Sequence, residues 1–272
     1  MRRVGEQVAQ VAGTRAPLLI EGEYGSGRHR VALAIHRAGP RANGPFVHVH
    51  VTALPSETAE EALFGEGLHA SAVGGTLYLE DIDTLPHAAQ ARLLLALHER
   101  NDVRVIASTT TDLEAEVSRG AFRADLRDRL AVVRVRVPPL RERREDLEPL
   151  ALQILAERRE RGSPRAITPG ALERLAAHDW PGNVRELSDV LAAMAAHQKG
   201  RGPLTVSDLP EHWRGATPGG LAITVGMTVS EAERRLISAT LEHTGADKRR
   251  AAAMLGIGLR TLYRKIREYR LG

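Results

Sequence analysis

Short apolar runs recur through the first half of the chain, at Leu18-Leu-Ile20, Phe46-Val-His-Val-His-Val51, Thr76-Leu-Tyr-Leu79, Val103-Arg-Val-Ile-Ala107 and Val132-Val-Arg-Val-Arg-Val137. Their β-branched and aromatic content reads as strands, and helical stretches such as Ala88–Arg100 alternate with them. Strand and helix in alternation predict an α/β domain, a parallel sheet flanked by helices. From Arg141 to about Gln198 the strand signal vanishes. Helices are expected instead over Asp146–Arg161, Pro169–His178 and Val184–His197, with Trp180-Pro-Gly breaking the chain before the last. This pattern is that of a helical lid. Residues 200–226 hold Pro203, Pro210, Pro218 and six glycines, so a linker is expected there. Beyond it, Thr228-Val-Ser-Glu231 reads as a capping box for a helix with Val229, Ala232, Leu236, Ala239 and Thr240 on one side. Asp247 is placed to cap a second helix ended by Gly256, and a third begins near Gly258 with Leu262 and Ile266 as its apolar side. Two short helices joined by Gly-Ile-Gly, the second strongly basic, predict a small all-α helix-turn-helix domain. The expected boundaries are 1–140 for the α/β part, 141–199 for the lid, 200–227 for the linker and 228–272 for the helix-turn-helix.

At 272 residues, 43% of them hydrophobic, the chain can bury one large core and a smaller one. It has no cysteine, which excludes disulfides and thiolate metal sites and fits a reducing compartment. No apolar run approaches the ~20 residues of a membrane span, and Met1-Arg-Arg is not followed by the core of a signal peptide, so a cytoplasmic protein without membrane contact is expected. Charge sharpens the division into parts. From Ala246 to the end, Lys248, Arg249, Arg250, Arg260, Arg264, Lys265, Arg267 and Arg270 face only Asp247 and Glu268, an excess of six positive charges. The whole chain carries +4, so the remainder is mildly acidic. A basic tail on an acidic body implies a polyanion-binding module, and 3% aromatic content disfavours single strands read by stacking.

The chemistry begins after the first apolar run. Glu21-Gly-Glu-Tyr-Gly-Ser-Gly-Arg28-His29 places Gly22, Gly25, Ser26, Gly27, Arg28 and His29 in a glycine-rich turn between strand and helix. Such a turn cradles phosphate because glycines let backbone N–H groups converge, while a lysine reaches the terminal phosphates. Here that lysine is Arg28. His48 and His50 alternate on one strand face with His29 nearby in sequence, but no carboxylate or third histidine falls at metal-ligand spacing, so no metal site is expected. No Ser/His/Asp grouping stands out.

Several strings are more specific: Gly22-Glu-Tyr-Gly-Ser-Gly27, Leu63-Phe-Gly65, Gly74-Gly-Thr-Leu-Tyr-Leu79, Phe122-Arg-Ala-Asp-Leu126 with Arg129-Leu130, Pro138-Pro-Leu-Arg-Glu-Arg143, Trp180-Pro-Gly-Asn-Val-Arg-Glu-Leu187, and Ala251-Ala-Ala-Met-Leu-Gly-Ile-Gly258 with Arg260-Thr-Leu-Tyr-Arg-Lys265. In this order they resemble the central AAA+ domain of NtrC-type sigma-54 activators followed by a Fis-type DNA-binding domain. The resemblance implies ATP or ADP with Mg²⁺ as ligand. It implies that Arg123 and Arg129 reach a neighbouring subunit's γ-phosphate, and that Arg185 senses nucleotide from the lid. Four positions depart from the family pattern. Arg28 replaces the lysine; Glu80-Asp81 stands where Asp-Glu holds Mg²⁺ and polarises water; His50 replaces an asparagine that holds the second carboxylate; Thr110 replaces the strand-end sensor asparagine. A misplacement of ~1 Å costs about a hundredfold in rate, so weak nucleotide binding with little hydrolysis is expected.

The family also inserts a helical hairpin tipped by Gly-Ala-Phe-Thr-Gly-Ala after Leu-Phe-Gly, whereas Glu66–Val73 alone precedes Gly74 here. Eight residues as helix span about 12 Å one way, with nothing left to return, so remodelling of sigma-54 polymerase is not expected. No receiver stands before the loop, nor the segment that helps to enclose adenine, so the sequence does not name the input signal. The reading is a DNA-binding transcriptional regulator whose AAA+ body is expected to oligomerise, a ring being one form of that assembly. Its Fis-type module is expected to dimerise through Thr228–His243 and to set Gly258–Arg267 in the major groove of duplex DNA, with Lys248, Arg249, Arg260, Thr261, Tyr263, Arg264 and Lys265 as contacts. Two rival readings remain: a slow but genuine ATPase activator, and a non-enzymatic partner that joins the rings of intact relatives.

Overall fold

The computed structural model describes residues 2–65, 67–99, 102–157, 166–198, 202–210, 213, 227–244 and 247–269. Five parallel strands form one sheet in the order β2-β3-β4-β1-β5: β1 (Leu18–Glu21), β2 (Phe46–His50), β3 (Thr76–Glu80), β4 (Arg104–Thr109) and β5 (Val133–Arg136). The helices of this part are α1 (Arg2–Ala12), α2 (Arg28–Ala38), α3 (Ala59–Phe64), α4 (Leu68–Ser71), α5 (His87–His98), α6 (Leu113–Ser118) and α7 (Ala124–Leu130). Strand residues alternate between two cores because side chains leave a strand with period two. Leu18, Ile20, Tyr78 and Ile106 pack with Val31 and Ile35 of α2 and Val4 of α1. Leu19, Leu77, Leu79 and Ala107 pack on the other face with Leu63, Leu93 and Leu126 of α3, α5 and α7.

Helix α1 has no counterpart among the sequence expectations, and its end is held from far along the chain. Arg104, the first residue of β4, is 3% exposed and donates to Ala12 O at 2.8 Å and Val11 O at 2.7 Å, which closes the open carbonyls of the helix C-terminus. A cation at that end also complements the helix dipole.

The remaining helices are α8 (Leu147–Glu157), α9 (Pro169–Ala176), α10 (Asn183–His197), α11 (Val229–His243), α12 (Lys248–Met254) and α13 (Leu259–Glu268). By contact the chain divides into two compact units, Met1–Ala166 with His178–Ala192, and Ile167–Ala177 with Ala193–Gly272. Part of the expected linker is in fact packed structure. Leu204 and Leu209 are fully buried, Leu204 O accepts from Thr168 N at 2.9 Å, and Thr205 with Asp208 closes a capping box. Its prolines and glycines read as a linker because the two anchoring leucines are too sparse to register as a periodic pattern. The rest of the expected linker lies outside the described residues, apart from Trp213 and Met227.

In the C-terminal three-helix part, Asp247 caps α12 through the amides of Arg249 and Arg250 at 3.0 and 3.1 Å, and Gly256 turns the chain at φ 65°. Ile237, Ala251, Ala252 and Leu262 are its buried centre. The stripe foreseen for α11 is not the one buried there, since Val229 is 85% and Leu236 45% exposed. No helix among the described residues is long and apolar enough to cross a membrane.

Replacing Arg104 by Met keeps much of its length but leaves the α1 carbonyls without their donor. A loss of about 1–3 kcal/mol is expected, read as a thermal midpoint several degrees lower by circular dichroism, while Arg37→Met on the exposed side of α2 leaves it unchanged.

Candidate functional site

Strand β1 delivers the chain into the glycine loop, whose shape is dictated by close backbone approaches. A Cβ on Gly22 would stand 2.9 Å from Ser26 Oγ and 3.0 Å from Val137 O. Gly25, at φ 72°, faces Gly182 O at 2.3 Å from where a Cβ would lie, so no side chain fits. Gly27, at φ 102°, hands the chain to α2. The Trp180–Asn183 segment clamps this loop. Asn183 is buried at φ 54°; its Oδ1 accepts from Leu140 N at 2.8 Å and its Nδ2 donates to Tyr24 O at 3.0 Å. Val184 N donates to Gly25 O at 3.0 Å, and buried Arg143 donates to Ser26 O at 2.7 Å. Beside the loop opens a cavity of about 480 Å³ lined by Tyr24, Gly25, Gly27, Arg28, His29, Glu80 and Arg185.

Arg28, the first residue of α2, is 3% exposed and points at the acidic pair: 2.8 Å to Asp81 Oδ1 and 3.9 Å to Glu80 Oε1. The cation that a phosphate would meet is therefore already paired with carboxylates. Asp81 sits at φ 58° just past β3, in a left-handed conformation that turns its carboxylate toward Arg28.

The expectation that no carboxylate joins the histidines is overturned by strand register. His50 pairs with Glu80 across β2 and β3, and Glu80 Oε2 lies 2.7 Å from His48 Nε2 and 3.4 Å from His50 Nδ1. His29 occupies the Ser/Thr position of the phosphate-loop pattern, whose hydroxyl serves Mg²⁺. Its ring lies 4.4 Å from that of His48, and its Nε2 is buried without a hydrogen-bond partner. Burial holds His29 below the usual histidine pKa, with the neighbouring His48 adding to the effect. The residues here do not match a Mg²⁺ site of the family kind, because the hydroxyl is an imidazole and the acidic pair is engaged by Arg28 and His48. Thr110 is exposed beyond the end of β4 and is not among the residues lining the cavity; the hydroxyl bonded inward is that of Thr109, 2.7 Å from Asp83 Oδ1.

Arg185 stands over the Tyr24 ring at 5.5 Å and lines the cavity. Arg123 and Arg129 lie apart from it. Arg123 grips Asp125 through two bonds of 3.0 and 2.7 Å, and Arg129 donates to Leu97 O at 3.1 Å. Both are exposed.

In the C-terminal part Arg260, Thr261, Tyr263, Arg264 and Arg267 line one shallow surface of α13. Lys248 and Arg249 are exposed on α12, with Lys248 Nζ 5.3 Å from the Tyr263 ring. Lys265 departs from expectation. Its ammonium is turned to Glu233 at 2.8 Å on α11, and Tyr269 shares that carboxylate, so Lys265 ties helices together instead of facing outward. Glu233 raises the lysine pKa above its ordinary value, with a further contribution from Tyr269.

Three family profiles match in tandem: the sigma-54 interaction domain over residues 1–136, the AAA+ ATPase lid domain over 141–222, and the Fis family of bacterial regulatory proteins over 228–269. The chain is 37% identical to the response regulator protein PilR of Pseudomonas aeruginosa over 304 aligned positions, covering 98% of this chain and 67% of that protein. It is 35% identical to the transcriptional regulator NtrC of Azospirillum brasilense over 324 positions, again covering 98% and 67%. It thus spans about two thirds of the length of these relatives. Among solved structures, NtrX from Brucella abortus in complex with ATP superposes with a TM-score of 0.77 at 31% identity, covering 100% of this chain and 68% of that one. The same protein with ADP gives 0.76. The chain belongs to the family of sigma-54-dependent transcriptional activators, with a sigma-54 interaction domain, an AAA+ lid and a Fis-type helix-turn-helix in that order.

Proposed function

We propose that this chain is a DNA-binding transcriptional regulator whose AAA+ body binds ATP or ADP weakly, hydrolyses it little and does not remodel sigma-54 polymerase. The observation that carries the reading is the Arg28 contact with Asp81 and Glu80. Phosphate binding must compete with two carboxylates for the guanidinium, and the carboxylates needed for metal and water are neutralised by that same group. A guanidinium is also planar and longer than an ammonium, so it does not reproduce a lysine's point charge. Ser26 N already donates to Glu23 O at 3.1 Å, which leaves the amides of Gly27 and Arg28 at the start of α2 to meet phosphate, and Tyr24 and Arg185 flank the cavity. NtrX, crystallised with ATP and with ADP, supports a nucleotide in this fold.

Arg123 and Arg129 fit the inter-subunit role by their exposure, and Arg123 must leave Asp125 to reach a neighbour. Among the described residues between Phe64 and Thr76, the one helix is the four-residue α4. Its brevity supports the absence of a polymerase-contacting hairpin, and the aligned length of 304 positions with PilR means that relative carries residues this chain lacks. The uncovered α11 stripe of Val229 and Leu236 supports dimerisation of the Fis-type part. The DNA-facing set is Lys248, Arg249, Arg260, Thr261, Tyr263 and Arg264, with Arg267 beside them.

Phosphate release by the purified chain is expected about a hundredfold or more below that of an intact relative. Arg28→Lys alone restores less than tenfold, because groups that act as a unit are not additive. Turnover within tenfold of the relative defeats this reading.

On duplex DNA bearing the cognate site, Arg260→Ala is expected to cost about 1–3 kcal/mol and relax base preference. Lys248→Ala weakens all sequences alike and lowers the salt slope. Equal binding of cognate and random DNA by the full chain refutes sequence-specific recognition.

Open-complex formation at a sigma-54 promoter carrying this protein's site upstream is expected to stay at background with ATP present. ATP-dependent open complexes overturn the polymerase part of the proposal and leave the DNA-binding part standing.

A further inference from the structure

We propose that His48, His50 and Glu80 form a site for one divalent transition-metal ion of the zinc type, with water as the fourth ligand. Among the described residues, the ligating atoms of His48, His50 and Glu80 all lie within 4.8 Å of one another. A tetrahedral ion with bonds of about 2.1 Å spaces its donors about 3.4 Å apart. The His50 Nδ1 to Glu80 Oε2 separation is already 3.4 Å, and the 2.7 Å contact of His48 Nε2 with Glu80 Oε2 opens by about 0.7 Å to admit an ion.

Rigid elements hold these groups. His48 and His50 are two residues apart on β2, so both leave the same sheet face, and the parallel register sets Glu80 directly beside His50. His29 comes from the first turn of α2 above that face, its ring 4.4 Å from His48 and 5.8 Å from Tyr78. Its Nε2 is buried and unpaired, a polar atom for which the fold supplies no donor or acceptor.

Donor chemistry selects the ion. Mg²⁺ takes oxygen ligands in octahedral array, whereas imidazole with one carboxylate suits borderline first-row ions. The Mg²⁺ hydroxyl position of the phosphate loop is His29, and a further imidazole stands at His50 beside the acidic pair. An opposing charge nearby is Arg28, 3.9 Å from Glu80 Oε1 but paired more closely to Asp81, so Glu80 Oε2 is engaged only by the two histidines that would share the ion with it. This site takes metal whether or not the cavity turns over nucleotide.

The test is equilibrium dialysis of the full chain, stripped with chelator and checked for folding by circular dichroism, against Zn²⁺ and separately Mg²⁺. One Zn²⁺ per chain with micromolar or tighter affinity is expected, Mg²⁺ at this level is not, and Co²⁺ gives the intense visible bands of a four-coordinate ion. His50→Ala, more than half exposed and so safe for folding, and Glu80→Gln, which keeps the shape and a hydrogen bond to His48, each weaken Zn²⁺ about tenfold or more. His98→Ala and His197→Ala, whose imidazoles bond their own helix carbonyls, leave it unchanged. Absence of stoichiometric Zn²⁺, affinity that survives either His50→Ala or Glu80→Gln, or an equal loss in the control variants overturns the assignment.

Discussion

The backbone contact between the glycine loop and the turn before α10 is the constraint on which the cavity depends. Gly25 meets Gly182 O at a distance that admits no Cβ, and Asn183 spends its buried amide on Leu140 N and Tyr24 O. A buried amide left without partners costs about 1–3 kcal/mol, so the segment holds its place only when loop and turn are both formed. Arg143 fixes the same loop from below through Ser26 O. The loop's frame is thus set by groups that never face a ligand.

The charged side chains at the loop's tip act together through electrostatics. Arg28 lies between Glu80 and Asp81; Glu80 in turn is shared with His48 and His50. Each partner compensates for the burial of another, and removal of one leaves an uncompensated charge in a poorly solvated place. An arrangement that satisfies itself in this way has little unpaired charge to offer a triphosphate. It has instead assembled a nitrogen-rich face, continued inward by the Tyr78 and Phe46 rings that stack with His29.

The C-terminal part divides its charges between structure and surface. Lys265 is committed to Glu233 and Tyr269 and sets α13 against α11, while Arg260, Arg264 and Arg267 leave the helix on the open side. Both roles arise on one helix because residues 264 and 265 are about 100° apart around its axis.

The five strands, the helices after residue 141, the cap at Asp247, the turn at Gly256 and the glycine loop were legible in the sequence, because each rests on local rules: alternation, side-chain capping, positive φ. What sequence could not decide is which distant residues meet. Register between β2 and β3 brings Glu80 to His48 and His50 although thirty residues separate them, and no spacing rule within one segment contains that information. Arg104 lies within the strand run Val103–Ala107, and nothing local says that it closes the end of α1 by donating to Ala12 O. Leu204 and Leu209 read as linker until partners for them existed. Local backbone preference is written residue by residue, whereas pairing is decided by the collective packing of elements, and it was packing that turned a phosphate loop's neighbours into a cluster of histidines around one carboxylate.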